Sequence, residues 1–157
     1  LNVNAVKPTV QAGLKGDSVA SVAAAGHIAF LLAESGKGQL SDFDLQAGIN
    51  TLLSLAESDG TFKPRAGSDG NPLAAGTALE FLGKAHGAAT EDQKKKIKGL
   101  ISSIETLLEL GTSESDDLIS FRGSASRSGV GITVQVLRGV LSLLKALPGS
   151  KLDAVGD

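Results

Sequence analysis

The chain has 157 residues, enough for one hydrophobic core, and its 41% apolar and 20% charged residues are proportions of a globular chain rather than a disordered one. A net charge of −2 argues against a nucleic-acid binder, whose affinity comes from neutralising phosphates. Cysteine is absent, which excludes disulfides and thiolate chemistry, and no run approaches the roughly 18–20 apolar residues of a membrane span.

In chain order, residues 1–16 read as irregular, punctuated by Pro8, Gly13 and Gly16. The N-terminus has neither Met nor a signal-like apolar segment, so the chain reads as mature or as a piece of something longer. Asp17 is placed to cap a first helix over 17–35, stopped by Gly36. A second helix is expected over 41–57 with Ser41 at its start. Its Leu45, Ile49, Leu52, Leu53 and Ala56 follow the spacing of one buried face.

Asn71 and Pro72 read as the cap and first residue of a third helix, 72–86, whose Ala74, Ala78, Phe81, Leu82 and Ala85 share a face and which Gly87 closes. Thr90 and Gln93 have the spacing of a capping box and open a fourth helix, 90–110. Its stripe is Ile97, Ile101, Ile104 and Leu108, and Gly111 ends it. The fifth, 129–147, has Val134, Val136, Leu137, Val140, Leu141, Leu143, Leu144 and Leu147 around much of its circumference, the pattern of the most enclosed helix. The tail 148–157 completes a single helical-repeat domain.

With no Trp, Tyr or Met, the core must come from Leu, Ile, Val and Ala. Glycine, 20 of 157 residues or nearly twice the usual share of ~7%, points to many turns or close helix contacts. A repeat is visible in this layout. Two helices flank a loop containing Phe62-Lys63, and the next two flank one containing Phe121-Arg122. Such units stack as helical hairpins, each burying its apolar face on its neighbours. The fold expected is therefore all-α, with about five helices in consecutive hairpins. Phe62 and Phe121 would plug hairpin ends.

Candidate sites are sparse. His27 and His86 have no second ligand at helical spacing, and zinc needs three or four, so no metal site is expected. His86 suits the negative end of a helix and His27 a packed or rim position. Gly83-Lys84 lies inside a helix, unlike a phosphate loop, and Gly129-x-Gly131 lacks a surrounding βαβ unit. The lysines at 94–98 answer Glu91 and Asp92 at i, i+4 through Lys95 and Lys96, as on a solvated helix face. The acidic stretch 113–117 lacks calcium-loop spacing and reads as an exposed turn. No nucleophile, base or cofactor motif is legible.

Residues 49–65, a helix ending in Ser58-Asp59-Gly60 followed by Phe62 between turn residues and Lys63, lead into Ala74, Ala75, Gly76, Ala78, Glu80 and Leu82. This order resembles the N-terminal lumenal helical region of the ribophorin II family, non-catalytic subunits of the eukaryotic oligosaccharyltransferase, and the likeness spans residues 17–147. The family's later β-rich region and membrane helices have no counterpart here, and the Phe121 loop is not a full copy of the first. The resemblance implies a stretch of α/α superhelix, toroid-like, on the lumenal side of the endoplasmic reticulum membrane. It implies other transferase subunits as partners, membrane attachment only through parts outside this sequence, and no catalytic or cofactor residues. Two alternatives stay open: an α/α-toroid enzyme of the terpenoid cyclase or prenyltransferase kind, and an unrelated helical-repeat scaffold.

Overall fold

The computed structural model describes residues 2–113, 116–119 and 130–149. Among these the fold is all-α, with six α-helices: α1 (Val3–Leu14), α2 (Val19–Glu34), α3 (Leu45–Ser54), α4 (Pro72–Ala85), α5 (Glu91–Gly111) and α6 (Val130–Ala146). Between α5 and α6 the backbone forms a small antiparallel pair, β1 (Thr112–Ser113) with β2 (Asp116–Ile119). Of the acidic stretch 113–117, expected as an exposed turn, Ser113 pairs with Asp116 in this ladder, and 114–115 lie outside the described residues.

The sixth helix is the main correction. Residues 3–14 are helical although Pro8 lies inside them and removes one backbone donor. What outweighs that loss is a stripe, Val3, Val6, Val10 and Leu14, whose last two members are fully buried against the core. Gly13 lets α1 approach α2 so closely that a Cβ there would stand 2.7 Å from the Ala25 Cβ. Ser21 Oγ also donates to the Gly13 carbonyl at 3.0 Å. Two residues before Gly13, Gln11 Nε2 donates to the Asp42 carbonyl and Gln11 Oε1 accepts from the Asp44 N–H, tying α1 to the entry of α3.

The caps were partly legible. Asn71 Oδ1 accepts from the Ala74 N–H with Pro72 at the first helical position. Thr90 and Gln93 make the reciprocal box, each side chain accepting from the other's N–H at 3.0–3.1 Å. Two caps moved. Ser18, not Asp17, accepts from Ser21 at the start of α2. Asp44, not Ser41, accepts from Ala47 to start α3, because 40–42 forms a separate 3-10 turn. Helix α3 also stops short of residue 57, since Ala56 pairs in extended geometry with Phe62. Helix α4 ends at Ala85, and His86 and Gly87 form a 3-10 turn after it.

Packing follows an alternating order. Helix α2 lies against α4, and α4 against α6; α1 lies against α3, and α3 against α5. The even helices thus make one layer and the odd helices the other, with Leu14, Ile49, Leu52, Leu79, Leu82 and Ile104 fully buried in the shared core. Gln93 crosses between elements, its Nε2 donating to the Gln46 carbonyl and to Asn50 Oδ1.

The most extensive helix pair is α4 with α6, and glycine makes it. A Cβ on Gly76 would stand 2.5 Å from the Gln135 carbonyl oxygen, and one on Gly83 would strike Ser142. One on Gly139 would strike the Gly76 carbonyl. The two backbones therefore touch with no side chain between them. The glycine excess is spent here as well as in turns, at Gly36, Gly60, Gly67 and Gly149 with positive φ.

The expectation that the last helix is the most enclosed is overturned. Helix α6 buries Val136, Gly139, Val140 and Leu143, whereas α4 buries eight residues. Ile132 and Leu144 are half-buried against the core, while Val130, Val134, Leu137 and Leu141 face outward, for a reason visible at the layer's edge: α4 covers one side of α6 and no described helix covers the other.

Candidate interaction site

The residues of the family-like motif divide between a joint and a helix face. At the joint, Ser58 and Asp59 are exposed at the end of the α3 segment. Gly60 turns the chain with φ +85 and packs on the Ser103 carbonyl of α5. Thr61 donates to Asp59 Oδ1 from its hydroxyl (2.6 Å) and its N–H (2.9 Å). Phe62 is then buried, 2% exposed, in an extended segment bridged to Ala56 on one side and Asn71 on the other. The Lys63 N–H donates to the Leu55 carbonyl, and the Pro64 carbonyl accepts from Val19. Lys63 itself pairs with Glu57 at 3.0 Å on a half-exposed surface. One short segment thus ties α2, α3, α4 and α5 together. Phe62 is a plug, and the joint leaves no ring free for a ligand. Phe121 lies outside the described residues.

The Thr61 hydroxyl, then its N–H, hold the Asp59 carboxyl below the ordinary aspartate range. A depressed carboxyl adds stability above its unfolded pKa of about 3.9 and loses it as pH falls through the lower folded value. Asp59→Asn is accordingly expected to flatten the acid limb of stability between about pH 5 and about pH 2, measured by denaturant unfolding at each pH.

On α4, Ala74, Ala75, Ala78 and Leu82 are buried, Gly76 sits in the α6 crossing, and Glu80 reaches the surface. Glu80 helps line a groove of about 390 Å³ on the even-helix layer. One wall is Ala20, Ala23 and Ala24 of α2. The floor is Phe30 and Phe81, whose rings lie 5.8 Å apart and tilted by 49°. Phe81 fits there because Gly26 and Gly48 leave room for its ring. The rim carries His27, Thr77, Lys84 and Arg138.

The charges on this rim are unevenly used. Glu80 Oε2 accepts from Gln135 Nε2 at 2.7 Å, and its Oε1 lies 3.6 Å from Lys84 Nζ. Lys84 also stands 5.8 Å from the Phe30 ring centroid, within cation–π range. The single carboxylate lining the groove is therefore already engaged. No three His, Asp or Glu side chains converge on a metal-sized space among the described residues. His27 stands exposed on the rim, and His86 follows the last turn of α4. Gly83-Lys84 is helical, and Gly131 lies inside the first turn of α6 rather than before it. On α5, Asp92 pairs with Lys96 as expected, while Glu91 pairs with Lys94 instead of Lys95.

Beside the groove runs the uncovered edge of α6. Val130 is 69% exposed, Val134 49%, Leu137 39% and Leu141 65%. Val134, Leu137 and Leu141 are among the residues expected from the sequence to wrap around one all-round apolar helix. Separating them from Val136, Val140 and Leu143 by angle shows two stripes about 120° apart on the helix, one of them without a neighbour. The groove itself had no linear signal, since its lining comes from three helices.

No helix among the described residues is long and apolar enough to cross a membrane. Comparison with protein-family models, curated proteins and solved structures finds no match to this chain.

Proposed function

We propose that this chain is a non-catalytic helical-repeat module that works by contact. We further propose that it serves within an oligosaccharyltransferase, on the lumenal side of the endoplasmic reticulum membrane, in support of protein N-glycosylation. The observation that carries the first statement is the open edge of α6, an apolar stripe at the margin of a layer whose inner contacts, α2 with α4 and α4 with α6, are helix on helix. In stacked hairpins such a face is normally buried on the next unit or on a partner. The alternating order of odd and even helices supports reading the chain as a stretch of α/α superhelix. The second statement draws on the ribophorin-like motif, whose Gly60, Phe62 and Gly76 hold structural positions and no chemistry.

The toroid-enzyme alternative would put its reaction in the groove. Lys84 and Arg138 line the rim, and positive charge there opposes a carbocation. The one carboxylate is bound by Gln135 and Lys84.

The test has two arms. Crosslinking in microsomes of the protein carrying this chain is expected to reach other transferase subunits. Purified chain incubated with acceptor peptide and lipid-linked oligosaccharide is expected to form no glycopeptide. Glycopeptide from the chain alone overturns the non-catalytic reading, and crosslinks that avoid every transferase subunit overturn the assignment to the complex.

A further inference from the structure

Along α6, Val130, Val134, Leu137, Leu141 and Leu144 recur at alternating steps of four and three. That spacing holds one seam of a helix toward a neighbour over successive turns, as in coiled coils. The first four are exposed and Leu144 is half-buried. From 130 to 144 the seam is about 21 Å long at 1.5 Å per residue. It lies on a helix pinned from behind by the glycine contact with α4.

The two flanks of the seam differ. Toward the core side stand Val140, which is buried, and Leu147. Toward the groove side stand Arg138 and Lys145, seven residues apart and both exposed. Neither has an ion-pair or hydrogen-bond partner among the described residues. Across the groove stands a third cation, Lys84, paired with Glu80.

We propose, resting on the contact-module reading above, that this seam docks an amphipathic helix of another polypeptide. Its apolar residues repeat at the same steps, and its flank facing Arg138 and Lys145 is acidic. A helix is the occupant because it satisfies its own backbone and offers a matching apolar ridge, in the helix-in-groove mode of recognition. Acidic residues are required because covering the seam partly dehydrates Arg138 and Lys145, which is unfavourable unless each gains a counter-charge. A second copy supplies none. Antiparallel pairing of two α6 seams sets these cations against each other, and parallel pairing sets them against Val140 and Leu147.

The experiment uses two labelled monomeric peptides of equal length, with leucine at the seam positions and either glutamate or lysine at the flanks, followed by fluorescence anisotropy. The acidic peptide is expected to bind at least about tenfold more tightly than the basic one, and more weakly as salt rises. Arg138→Glu with Lys145→Glu is expected to reverse the preference. Leu141→Lys, at a position already 65% exposed, is expected to abolish binding of both while circular dichroism stays unchanged. Equal binding of the two peptides, binding of neither, or a preference that survives charge reversal overturns the proposal. So does a dimer of the chain in sedimentation that Leu141→Lys dissolves. Transferase crosslinks that persist in the Leu141→Lys variant would leave the contact-module reading standing and remove this seam from it.

Discussion

Phe62→Ala is expected to lower the unfolding free energy by about 3–5 kcal/mol, seen as a lower denaturant midpoint with unchanged slope. The ring is buried to 2% exposure, so the full transfer term is lost. The cavity term adds to it, because the segment cannot sink inward to fill the space. Its backbone is held on one side by Ala56 and on the other by Asn71, with further bonds from Lys63 to Leu55 and from Val19 to Pro64. Phe62→Leu keeps most of the volume and is expected to cost about 1 kcal/mol. A midpoint indifferent to Phe62→Ala would remove the ring from the core and return it to the list of binding groups.

Gly139→Ala is expected to destabilise although alanine is the better helix former. Propensity alone favours alanine by about 1 kcal/mol. Against it, the new methyl strikes the Gly76 carbonyl, a backbone atom with no rotamer to escape into, and overpacking of this kind costs about 1–3 kcal/mol or more. The clash wins. Gly99, in the middle of α5 with no atom near its would-be Cβ, is the control. There Gly99→Ala is expected to stabilise by about 0.5–1 kcal/mol. Thermal unfolding of the pair should move in opposite directions, and a shared direction would remove the close crossing of α4 and α6.

What the sequence disclosed was whatever a few neighbouring residues decide. Asn71 with Pro72, and Thr90 with Gln93, are local chemistry and lie where they were expected. Phe62 between two turns was legible as a joint because an isolated aromatic among small residues has few other uses. Residues 3–14 were missed because Pro8 is a local signal against a helix, while the burial of Val10 and Leu14 that overrides it is tertiary. Helix α6 was misjudged for the same reason. Its apolar residues are plain in the chain, but which of them meet α4 depends on Gly76 and Gly83, some 60 residues earlier. The groove, assembled from α2, α4 and α6, had no local signature at all.

The α4–α6 contact also has a consequence in time. Helices α1 and α2 are joined by four residues and can meet early, whereas 44 residues, 86–129, separate the end of α4 from the start of α6. Loop-closure entropy grows as (3/2)RT ln n, so bringing α6 home costs about 2 kcal/mol more than closing the first hairpin. That cost falls due before any glycine contact forms to offset it. Helix α6 should therefore dock late in folding. Substitutions at Gly139 should then act chiefly on the rate at which the protein unfolds, leaving the rate at which it folds almost unchanged.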